Sequence, residues 1–105
     1  NDEKIEVEKT YKKGKWILKI RGVLNEGTVQ EFNATLNQHF KEREPIVLDL
    51  SGLSSMDTFG VGNLVEKYRW SRIIEQDFSV NGMKPELKAI FELVGLDHFF
   101  NFKDA

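Results

Sequence analysis

Asp57 and Thr58 are the two residues of this chain best placed to do chemistry. They sit within Ser55-Met56-Asp57-Thr58-Phe59-Gly60-Val61. Before them is a short apolar run, Ile46-Val47-Leu48-Asp49-Leu50, and after them a segment with helical spacing at Val61, Leu64, Val65 and Tyr68. That layout reads as strand, turn, helix. The first N–H groups of a helix lack internal partners and the helix dipole is positive there. An oxygen at this turn is favoured, and a phosphate would be as well. Thr58 is therefore open to two readings, a plain helix cap or a phosphorylation switch. Capping is the commoner work of Thr and Asp at a helix start. Phe59, directly after it, stands either as a core anchor or as an exposed contact.

Other chemistry finds less support. Gly60-Val61-Gly62 lacks the spacing of either nucleotide fingerprint, and no Lys-Ser/Thr pair follows it. Its plain reading is that small residues let a helix start close to a sheet. His39 and His98 lie far apart and in no metal-ligand spacing, so no metal site is expected. No Gly-x-Ser-x-Gly elbow is present and no histidine lies near Thr58 in sequence, which disfavours nucleophilic catalysis. The expectation is a protein that is not an enzyme and carries no cofactor.

Composition sets the frame. A chain of 105 residues suits one domain over 1–105, with one modest core. The hydrophobic fraction of 40% and charged fraction of 30% are ordinary for a globular protein. Net charge is −2, which leaves no nucleic-acid footprint. Positive charge is concentrated in residues 1–22, where lysines read as blockers of strand-edge pairing. There is no cysteine, so disulfides, thiol nucleophiles and Cys-based metal sites are excluded. No apolar run is long enough to span a bilayer and no signal-peptide pattern is visible, so no membrane association is expected. The first residue is Asn1 rather than Met, as in a trimmed chain or a piece of a longer protein.

The elements that must position Thr58 follow from periodicity. Residues 5–11 alternate as a strand, Lys12 to Lys15 turn, and Trp16 to Ile20 form a second strand ended by Gly22, giving a hairpin. Asn25-Glu26-Gly27-Thr28 is a loop leading to a helix cap. Val29, Phe32, Leu36 and Phe40 recur at helical spacing over 29–41, and Pro45 stops that helix. Residues 46–50 are a nearly all-apolar strand, the mark of a strand covered on both faces. A second helix spans about 59–75, with Tyr68 and Trp70 on different sides, one core and one exposed. A short strand at 78–80 follows, and a third helix begins near Pro85 with Leu87, Ile90, Phe91 and Val94 on one face, ending at Gly95. Phe99 to Phe102 is expected as a last edge strand. The fold class is α/β, a mixed sheet in the order β-β-α-β-α-β-α-β with helices packed on it.

With these residues in place, the chain resembles the STAS domain family, the anti-sigma factor antagonists of bacteria, over nearly its whole length. The resemblance rests on Ile46-Val47-Leu48-Asp49-Leu50-Ser51-Gly52-Leu53 and on Ser55-Met56-Asp57-Thr58-Phe59-Gly60-Val61-Gly62. It continues with Met83-Lys84-Pro85-Glu86-Leu87 and with Phe91-Glu92-Leu93-Val94-Gly95-Leu96-Asp97-His98-Phe99-Phe100. It implies a small cytoplasmic regulatory protein that binds an anti-sigma factor, often a serine kinase, and so releases a sigma factor. It further implies that the kinase phosphorylates the residue matching Thr58, breaking the complex, and that a phosphatase resets it. The implied partner face comprises Leu24, Asn25, Met56, Asp57, Phe59 and Asn63. Two positions depart from the family pattern: Phe59 replaces a small residue, and Asn25 replaces an acid. They motivate an alternative, a non-switching STAS-like scaffold that assembles a larger complex or a homodimer through the same end.

Overall fold

The computed structural model describes residues 3–93 and Gly95. The expected strand at 99–102, His98, and Val94 of the third helix lie outside the described residues. Seven elements run β1 (Ile5–Lys12), β2 (Lys15–Leu24), α1 (Val29–Glu42), β3 (Ile46–Met56), α2 (Thr58–Ile73), β4 (Phe78–Asn81) and α3 (Pro85–Leu93). They follow the expected order.

Four strands form one mixed sheet in the order β1-β2-β3-β4. β1 pairs antiparallel with β2 through the expected hairpin, with Ile5 opposite Gly22 and Lys12 opposite Lys15. β2–β3 and β3–β4 pair in parallel. Each parallel step needs a crossover, and right-handed crossovers made in one direction along the sheet put both helices on the same face. α1 and α2 accordingly pack against each other as well as on the sheet. Leu18, Ile20, Leu48 and Leu50 from the strands meet Phe32, Leu36, Phe40 and Leu64 from the helices, all buried. Each such side chain contributes about 1.5–3 kcal/mol by leaving water.

Three expectations are corrected. β2 does not end at Gly22 but runs on to Leu24, and β3 does not end at Leu50 but reaches Met56. The extension passes through two register shifts between β2 and β3, at Lys19/Arg21 and at Gly22/Val23. Gly22 has φ +101°, and a Cβ there would overlap the Lys4 carbonyl oxygen. Glycine therefore bends the strand at this point instead of ending it. The third correction concerns coverage. β3 alternates buried Ile46, Leu48 and Leu50 with half-buried Val47, Asp49 and Ser51, so only one face is sealed. The apolar run had suggested two.

Helix limits agree closely with the sequence reading. Arg43 takes the left-handed C-cap position after α1, ahead of Pro45, and Pro85 opens α3. Tyr68 packs on the core and Trp70 faces outward, as their spacing predicts.

His39 is buried in this core beside Trp16, with ring centroids 5.1 Å apart. Among the described residues neither of its ring nitrogens has a hydrogen-bond partner. Burial lowers its pKa and Lys9 adds to that, while Glu42 and Glu44 oppose it. The folded state thus favours the neutral ring, whereas the unfolded chain takes up a proton below its ordinary pKa of about 6.5. Stability must fall as pH drops through that value. Urea midpoints measured between about pH 7.5 and about pH 5.5 will fall for the native chain, and His39→Phe will flatten that part of the profile.

Candidate functional site

The long reach of β2 and β3 brings two turns together at one end of the sheet. Leu24 and Met56 close the strands as paired residues. The β2–α1 turn then leaves from Leu24, and α2 starts two residues after Met56. Both side chains point into the core, Leu24 at 0% exposure and Met56 at 8%. Neither reaches the surface as a contact residue. Their work is to anchor the turns, and Leu24→Ala should cost about 2–5 kcal/mol of stability in urea unfolding.

Asp57, not Thr58, caps α2. Its backbone is extended, and its Oδ1 accepts the Gly60 N–H at 2.9 Å. Its Oδ2 accepts the Glu26 N–H from the neighbouring turn at 3.2 Å. Its own N–H donates to the Leu24 carbonyl at 3.2 Å. One side chain thus satisfies a helix donor and clamps the β2–α1 turn to the start of α2.

That turn is built by Asn25. Its Oδ1 accepts from Gly27 N–H at 2.9 Å and Thr28 N–H at 3.2 Å, an Asx turn. Its Nδ2 donates to Glu3 at 2.7 Å. Thr28 precedes α1 without capping it by its side chain. Its hydroxyl instead accepts the Asn25 N–H and donates to the Val23 carbonyl. The amide at position 25 is therefore a structural part of the loop, with half-buried rather than full access to solvent.

Gly60 sets how closely the two turns approach. A Cβ there would overlap the Leu24 carbonyl oxygen and the Met56 Cγ. Gly62 faces open space. The idea that small residues let the helix start close to the sheet thus holds for Gly60 and has no bearing on Gly62. As a phosphate cradle the turn is compromised, because the Gly60 N–H already serves Asp57.

Thr58 is left uncommitted. It is the first residue of α2 and exposed, and among the described residues nothing hydrogen-bonds to its hydroxyl. Phe59 beside it is 54% exposed. It points outward and is not a core anchor. Asn63 lies one turn further along the helix, half-buried, and among the described residues its Nδ2 has no partner. Glu3 reaches this end through its bond to Asn25, and Glu26 through its backbone N–H to Asp57. Among the described residues no group of three or more His, Asp or Glu is placed to hold a metal ion, and no helix is long and apolar enough to cross a membrane.

A family model for the STAS domain matches residues 4–105. The chain belongs to the STAS domain family. Solved structures agree on the STAS fold. An anti-sigma factor antagonist from Mycobacterium paratuberculosis superposes with a TM-score of 0.80 at 21% identity, covering 93% of this chain and 84% of that one. The Bacillus cell fate determinant SpoIIAA in its phosphorylated form gives 0.70 at 19% identity, covering 96% and 90%. A serine-to-glutamate variant of RsbS from Moorella thermoacetica gives 0.72 at 24% identity, covering 94% and 85%.

The division of labour at this STAS helix start is open to direct measurement. Asp57→Ala removes the cap and the clamp, and should lower stability by about 1–2 kcal/mol. Thr58→Ala should stay within about 0.5 kcal/mol of the native chain, as exposed substitutions do. Equal losses at the two positions in denaturant titrations would show that Thr58 shares the capping.

Proposed function

We propose that this STAS domain is an anti-sigma factor antagonist. It binds an anti-sigma factor that is a serine kinase through the end of the sheet bearing Asn25, Asp57, Thr58, Phe59 and Asn63. Phosphorylation of Thr58 by that kinase ends the complex, and a phosphatase restores it. The observation that carries the reading is the exposed Thr58 hydroxyl, without a partner among the described residues, on a helix whose cap is supplied by another residue. Modification at Thr58 then removes no bond that holds the fold. The likeness to anti-sigma factor antagonists, among them SpoIIAA, which is also solved in a phosphorylated form, supports the assignment.

The chemistry is a transfer of the γ-phosphoryl group of ATP to Thr58 Oγ1: the bond between the γ-phosphorus and the β,γ-bridging oxygen breaks, ADP leaves and the hydroxyl proton is released. The phosphate brings about −1.5 to −2 charges at neutral pH. The dipole of α2 offsets part of that charge locally. Glu3, Glu26 and Asp57 do not, because they carry the same sign. The unmodified face presents an exposed aromatic ring beside Thr58, which fits a partner surface with an apolar recess. After phosphorylation the added group stands beside Phe59 where the recess must close. Binding is lost through desolvation of the phosphate at a packed interface. No refolding is required.

The experiment is incubation with the cognate kinase and ATP, followed by mass spectrometry and binding titration. Phosphate is expected on Thr58, and Thr58→Glu should weaken binding by about tenfold or more, or at least about 1.4 kcal/mol. No phosphate at Thr58, with Thr58→Glu binding as the native chain does, rejects the switch. Loss of binding in Phe59→Ala alone would favour a scaffold that docks through the same end without switching.

A further inference from the structure

α2 has a second outward feature well away from Thr58. Trp70 is 49% exposed and Ile73 is 64% exposed. Both lie on the same side of the helix as Phe59, but Trp70 is about three turns further on, roughly 16 Å along the axis. Large apolar side chains left open in this way on a helix that already buries its inner face call for a partner.

Trp70 stands at the seam between α1 and α2 and lines a cleft on each side of it. One cleft also holds Glu66, Lys67, Arg69 and Ile73, the other Lys41, Arg43 and Ile74. Lys67 donates to the Asn37 side chain and Arg43 to the Ile74 carbonyl, both neutral acceptors. Among the described residues Lys41, Arg43 and Lys67 are in no ion pair, and the one carboxylate lining either cleft is that of Glu66, beside Lys67. Partial burial also lowers the Lys67 pKa, with Glu66 opposing the shift, so its charge is incompletely solvated where it stands. A positive seam around an apolar centre runs against the net charge of −2 of the whole chain.

We propose that the α1–α2 seam is a second docking surface, taking an acidic segment of a partner protein whose central apolar side chain seats on Trp70 and Ile73. Carboxylates flanking that anchor meet Lys41, Arg43 and Lys67. A buried aromatic anchor with a charged rim is the usual anatomy of a small protein interface. A second copy of this chain is a poor occupant, because facing the seam with itself sets the cations against their own kind. The surface does not depend on Thr58 and goes beyond the switch.

The test is selection of random dodecapeptides displayed on phage against the whole chain, followed by fluorescence anisotropy of the labelled winners. Enriched peptides should carry Asp and Glu around one aromatic or aliphatic residue. Their affinity should drop with added salt. It should also drop about tenfold or more in Trp70→Ala and in the double variant Lys41→Glu, Lys67→Glu, equivalent to at least about 1.4 kcal/mol. All three positions are outward-facing or partly so, and circular dichroism will confirm that the variants fold. In Trp16→Phe, where Trp70 is the remaining tryptophan, its emission should shift to the blue on binding. The proposal is overturned by no enrichment, by neutral or basic winners, or by winners that bind the variants as well as the native chain. It is also overturned if sedimentation shows the chain pairing with itself through Trp70.

Discussion

Asp57 holds one end of this molecule together with a single carboxylate. One oxygen takes the Gly60 N–H and caps α2, and the other takes the Glu26 N–H from the neighbouring turn. Its backbone N–H completes the clasp on the Leu24 carbonyl. Around it, other features are constrained by closeness. Gly60 has no room for a side chain, Leu24 and Met56 are driven inward, and Asn25 folds its own turn so that Glu26 can reach across. The acid before Thr58 is therefore chiefly a structural group, and the hydroxyl after it is the one without a partner among the described residues.

That separation explains how a charge switch can sit on a helix terminus without unsettling the helix. A residue that both capped and was phosphorylated would lose its capping geometry on modification, at a cost of about 1 kcal/mol. In the proposed switch the cap stays with Asp57 while Thr58 changes state. The phosphate would add its charge beside Asp57, whose carboxylate already carries the same sign. The proposed docking seam between α1 and α2 lies elsewhere on the helix layer and suits a different partner chemistry.

Much of this architecture is legible in the residue pattern. The spacing of Val29, Phe32, Leu36 and Phe40 gives α1, Pro85 gives the start of α3, and the alternation in 5–11 and 16–20 gives the hairpin. The strand ends are not legible, because the register shifts beside Gly22 depend on pairing with Lys4 and β3, and glycine in isolation reads as a stop. The same local ambiguity hides which of Asp57 and Thr58 is the cap. Both are good capping residues, and only the third dimension shows whose oxygen meets the Gly60 N–H. Leu24 looks like a loop residue until β2 is seen to continue to it. The seam cations come from α1, its C-cap and α2, distant in sequence, and nothing in the spacing of Lys41, Arg43 and Lys67 brings them together.

Hydrogen exchange on the chain before and after phosphorylation of Thr58 tests the clasp most directly. If Asp57 alone holds the helix start, the Gly60 and Glu26 amides keep their protection in the phosphorylated chain while partner binding is lost. If phosphorylation strips protection from those amides and from the first turn of α2, the switch works by unfolding the helix start, and the division between Asp57 as cap and Thr58 as free acceptor is wrong.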